Sequence, residues 1–109
     1  MKKFVPITIA TLALSAISLL ARDSKALYED QCAKCHGLDG KGQTKMGQKL
    51  NAKDYTDATV QANLKDEAGF NAIKEGLKDK DGKVLMKPTE DVSDDDAKAL
   101  VVYMRTFKK

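Results

Sequence analysis

A chain of 109 residues is long enough for one small domain and too short for a multidomain enzyme. Its composition, 42% hydrophobic, 32% charged and 6% aromatic with no Trp, excludes collagen-like chains and wholesale disorder. The 19 basic residues nearly balance 16 acidic ones, so no basic stripe argues for nucleic acid, and two cysteines cannot staple a disulfide-rich miniature fold.

Lys2 and Lys3 open the chain with positive charge, and Phe4 to Ala21 then carries none. A basic start followed by an apolar run and small residues predicts a secretory signal over 1–21, cleaved between 18 and 26. An uncleaved anchor is the competing reading, because the run lies at the lower edge of spanning length. Export would place the remaining domain, 22–109, in the periplasm, where thiols are oxidised unless something else claims them.

Beyond the leader the chain reads as short helices and long loops. Ala26, Leu27 and Tyr28 lead into Glu29-Asp30-Gln31-Cys32, a helix-compatible stretch. Gly37, Gly40, Gly42 and Gly47 crowd one region and predict an irregular loop. Phe70, Ile73 and Leu77 recur at the helical period, with Gly76 near the end, and a further loop is expected from Asp79 to Asp91. The last segment is the clearest helix: Ser93 caps it, and Asp94, Asp95 and Asp96 fill its first turn. Its apolar stripe is Ala97, Leu100, Val101, Met104 and Phe107. No alternating strand pattern is present, so the class is all-α. Loops this long are poor structure unless they wrap something, and so small a core needs a crosslink or prosthetic group.

The chemistry concentrates in Cys32-Ala33-Lys34-Cys35-His36, which gathers both cysteines and the single histidine of the chain. Residues three apart share a helix face. Two thiols so placed reach the two vinyl groups of one haem and form thioethers, and the histidine that follows offers a nitrogen to iron. A structural disulfide between Cys32 and Cys35 competes. A thioredoxin-type pair wants a βαβ setting that the pattern lacks. Zinc would need a fourth Cys or His ligand, and none remains.

On these residues the sequence resembles the small monohaem class I cytochromes c of bacteria. The likeness runs from about Ser24 to Phe107 and is sharpest at Cys32-Ala33-Lys34-Cys35-His36-Gly37 and at Asp39-Gly40-Lys41-Gly42. Tyr28 takes the place of an aromatic in the family's first helix, and Leu100 and Tyr103 match the pair on its last helix. The resemblance implies a cytochrome c fold, all-α, with the first and last helices packed together beside one covalent haem c per chain. Ser24 stands where the family usually has glycine, and Met86-Lys87-Pro88 replaces its Met-Pro pair. Gln48 stands at a common proline whose carbonyl accepts the ligand histidine's Nδ1 proton, so the Gln48 carbonyl is the expected acceptor for His36.

A closed iron needs a sixth ligand. Met104 falls on the apolar stripe of the last helix, where core packing explains it. Met46 follows His36 too closely to reach the opposite haem face easily. Met86 lies in the loop before the last helix, where the family's ligand loop sits, and is the expected ligand.

His36 and Met86 would give a closed iron whose soft thioether favours Fe(II). The expected function is a one-electron carrier and not an enzyme, working between redox proteins such as an oxidase, a reductase or a dehydrogenase. A monomer is expected, with no nucleic acid partner and membrane contact only through an uncleaved signal. Lys34, Lys41, Lys45, Lys49 and Lys53 cluster around the attachment motif and suit docking of such a partner. The alternative is a haem sensor or enzyme subunit with an open sixth position.

Overall fold

The computed structural model describes Lys3 and residues 23–109; the expected signal over 1–21 lies outside the described residues, Lys3 apart. Among the described residues, six helices and one short hairpin follow in chain order: α1 (Ser24–Gln31), α2 (Ala33–His36), α3 (Lys45–Leu50), α4 (Ala58–Asn63), α5 (Asp66–Glu75), β1 (Leu77–Lys78), β2 (Val84–Met86) and α6 (Asp94–Arg105).

Local chemistry sets most helix starts. The Asp23 carboxylate accepts from the Lys25 amide, Thr44 Oγ1 from Gly47, and Asp57 from Thr59 and Val60. Each acceptor satisfies amides that a helix leaves without a partner. Ser93 and Asp96 form a reciprocal capping box that opens α6. The expected helices at both ends of the domain are therefore present. The helix around Phe70 and Ile73 ends at Gly76, and Leu77 lies beyond it in β1 with its side chain exposed.

Two expectations need correction. The glycine-rich stretch is not wholly irregular, because Thr44 caps α3 and Asn51 closes it at φ 55°. Gly47 sits inside that helix for a steric reason: a Cβ there would collide with the Cys35 and Gly42 carbonyls. The expected loop from Asp79 to Asp91 contains a strand: β2 pairs antiparallel with β1, Leu77 opposite Met86, around a turn in which Asp79 accepts from Asp81 and Lys83. The fold class remains all-α, since the hairpin is a small appendage to the helices.

The core forms where α1 and α5 pack on α6. Tyr28 and Leu100 are fully buried, and Leu27, Ile73, Ala97, Val101 and Met104 surround them. The Tyr28 ring lies 5.1 Å from both Tyr103 and Phe107, and such tilted aromatic contacts add to the stabilisation from burial. Gly69 lets α5 approach Val101 of α6. Arg105 ties α4 and the start of α5 to α6, donating to the carbonyls of Gln61 (2.7 Å) and Leu64 (2.5 Å) and to Asp66 (2.6 Å). These contacts fix the frame on which the cysteine–histidine segment is mounted.

Candidate functional site

Cys32, Cys35 and His36 occupy one turn. The amides of Cys35 and His36 both donate to the Cys32 carbonyl, at 3.2 and 3.0 Å. Cys32 and Cys35 are not joined in a disulfide. Cys32 is buried, and burial, with Cys35 beside it, pushes its thiol up to about 11. Cys35 is half-buried.

Three elements hold this turn from outside. The Tyr28 hydroxyl donates to the Gly37 carbonyl at 2.7 Å, which links α1 to the residue after His36. Thr44 Oγ1 donates to the Cys35 carbonyl at 2.8 Å while capping α3. The Gly42 amide donates to the His36 carbonyl at 2.8 Å. Cys35, His36 and Gly37 therefore each spend their carbonyl on a different partner.

The His36 ring packs against Tyr55, centroids 5.3 Å apart. Tyr55 is set in turn by Gln61, whose buried amide donates to the carbonyls of Tyr55 (2.7 Å) and Met104 (2.9 Å). Burial lowers the His36 pKa and so favours the neutral imidazole, the form that offers a lone pair to a metal. Its Nδ1 is buried and has no hydrogen-bond partner among the described residues. The expected bond from Nδ1 to the Gln48 carbonyl is therefore not made. Gln48 lies inside α3, where its carbonyl instead receives the Asn51 amide that closes the helix.

Met86 belongs to a different set of elements. It ends β2, is half-buried, and packs against the buried cluster that includes Cys32. Its carbonyl lies over Gly76, where any side chain would collide with it, and Gly76 holds φ at 79°. Met104 is buried in α6 as the helical phase required. Met46 is half-buried in α3 and lines a groove of about 390 Å³ with Lys34, Lys45 and Lys49.

Sequence reasoning did not single out Tyr55 or Gln61. The available signal was the run Asp54-Tyr55-Thr56-Asp57, in which two aspartates bond amides two residues on. That pattern brackets a fixed turn before a helix.

Two cysteines on one turn, an imidazole next to them and a methionine on the same core suit a covalently attached haem with a nitrogen and a sulfur donor. Comparison with known proteins places the chain in a haem-bearing family. The chain matches the cytochrome c family over residues 21–108. The solved structure of the c-type cytochrome KustC0563 is 36% identical, with a TM-score of 0.70, and the match covers 81% of this chain and 100% of that one. A tyrosine-to-phenylalanine mutant of the same cytochrome is 34% identical with a TM-score of 0.67, over 80% of this chain and 100% of the other. No curated protein matches.

Proposed function

The chain belongs to the cytochrome c family and carries haem c as an electron carrier, and from that premise we propose a specific division of labour among its residues. Cys32 and Cys35 hold the haem as thioethers, His36 gives the fifth ligand and Met86 the sixth. The observation that carries this reading is the single turn that brings together Cys32, Cys35 and the half-buried His36, with the buried His36 Nδ1 lacking a partner among the described residues. When bound, haem c supplies a one-electron couple at its iron.

The chain's own residues orient and enclose that group. Tyr28, Thr44 and Gly42 fix the three carbonyls around His36 and so restrict the ring that meets the iron. Tyr55 packs against the imidazole and limits its movement. With His36 and Met86 both on the iron, no position would remain open to a substrate, and the protein would act as a carrier rather than an enzyme. Extracytoplasmic placement accords with the basic, then apolar, leader at 1–21. Lys34, Lys45 and Lys49 are exposed around the groove that contains Met46, and they suit weak docking of an acidic redox protein at the attachment side.

Exposure of the reduced protein to carbon monoxide tests the ligand set. A His/Met iron resists the gas, and Met86→Ala admits it. Rapid binding by the unaltered protein would instead indicate an open sixth position.

A further inference from the structure

The segment that begins at Met86 and ends at the Ser93 cap is fastened along its whole length to one end of α5. At its start, the Met86 carbonyl and Pro88 pack over Gly76. In its middle, the Thr89 amide donates to the Ile73 carbonyl at 2.9 Å. At its far end, the Lys74 ammonium donates to the Val92 carbonyl at 2.6 Å and pairs with Asp94 at 3.2 Å. The Thr89 bond is made through backbone and would survive almost any side-chain change in α5, whereas the contact at Gly76 requires that glycine. Lys74 is the side-chain fastening.

The plainer reading is that Lys74 answers the negative end of α5 and makes a surface ion pair of little weight. Asp94 is indeed 72% exposed, so that pair adds little. The Val92 contact is different. It is part-buried, short and charge-assisted, and the Lys74 side chain is only 31% exposed. Val92 itself is a buried core residue, so its carbonyl cannot swing out to water without disturbing the core. The bond therefore pins the end of the Met86 segment where that segment enters α6.

We propose that Lys74 is a positioning residue that holds the Met86 segment closed, and so keeps Met86 in place as a ligand. The inference rests on the reading of Met86 as the sixth ligand. It adds the group that keeps that ligand on the iron. Loss of the ammonium frees the far end of the segment, and Met86 is then released more often without unfolding of the helices.

The test uses the haem-loaded protein and its Lys74→Met variant, which keeps the aliphatic stem. Amide exchange at Thr89 reports opening of the segment, exchange at Leu100 reports global unfolding, and carbon monoxide binding to the reduced protein reports release of the iron. In Lys74→Met, Thr89 exchange and carbon monoxide binding should both rise by roughly ten- to a hundredfold relative to Leu100 exchange, the effect of one lost charged hydrogen bond. Lys74→Arg should recover most of the protection, and Asp94→Asn should change it less than about twofold. Unchanged Thr89 exchange in Lys74→Met, or an equal rise at Thr89 and Leu100, overturns the proposal. If the unaltered protein already binds carbon monoxide as fast as Met86→Ala, the ligand assignment fails, while Thr89 exchange still decides whether Lys74 closes the segment.

Discussion

The Tyr28 hydroxyl donates to the Gly37 carbonyl over 2.7 Å within the core, so the packing of α1 on α6 is transmitted directly to the residue after His36. Burial, and then the nearby Cys32 thiol, push the phenol well above its ordinary pKa, which keeps it protonated and a donor at any physiological pH. Tyr28→Phe would retain ring contacts with Tyr103 and Phe107 but leave the Gly37 carbonyl only its 3.2 Å bond from the Gly40 amide. We expect a loss of about 0.5–1.5 kcal/mol in denaturant unfolding of the haem-loaded protein. Tyr28→Ala, which also empties the space beneath α6, should cost about 3–5 kcal/mol. An unfolding midpoint for Tyr28→Phe equal to that of the unaltered protein would show that the bond contributes nothing.

The methionines separate by location. Met104 is buried in α6, so Met104→Ala should cost about 2–4 kcal/mol and leave the visible spectrum of the folded protein unchanged. Met86→Ala should keep the haem covalently attached, admit carbon monoxide and lower the reduction potential, because the soft donor that favours Fe(II) is gone. Potentiometry with gas titration checks both. The opposite pattern would move the sixth ligand to Met104.

How much of this was visible in the sequence depended on element length. Twelve residues of α6 carry three turns of apolar period and a capping box, so the stripe from Ala97 to Met104 was legible. So was the cysteine–histidine turn, whose meaning lies in spacing alone. By contrast α3 and α4 have six residues each, fewer than two turns, too few for a period to emerge. Gly47 even argued against α3, because the reason for it is contact with Cys35, which only the folded chain reveals. The hairpin escaped because β1 and β2 have two and three residues, and no alternation can be read over so short a run. The Nδ1 environment of His36 was misjudged for the same reason, since a helical Gln48 carbonyl is committed to its own helix end.

Acid should loosen the turn beside Tyr55. The Asp54 carboxylate accepts from the Thr56 hydroxyl at 2.6 Å and its amide at 2.9 Å, which hold its pKa below the ordinary 3.8, with Lys41 and Lys109 assisting. A carboxylate whose folded pKa is lowered stabilises fully above its unfolded value, and that contribution is lost as pH falls through the folded one. Exchange at the Thr56 amide, corrected for intrinsic rates, should therefore accelerate below pH 3.8. In Asp54→Ala it should be fast at every pH and show no such step. A step that survives in the alanine variant would assign the titration to another group.

Attachment and folding should prove inseparable. A domain of this size with glycine-rich loops lacks a sufficient core without the ring. Cys32→Ala or Cys35→Ala, expressed with the haem-ligation machinery, should yield little folded protein by far-UV circular dichroism. Normal helicity with no bound haem would refute that dependence.

The most direct test of the account is the mass of the purified, denatured protein and of its peptide containing Cys32 and Cys35, after extraction with acid and acetone. The account predicts one haem retained on that peptide, with neither thiol open to alkylation. A haem-free peptide in which both thiols alkylate would contradict it.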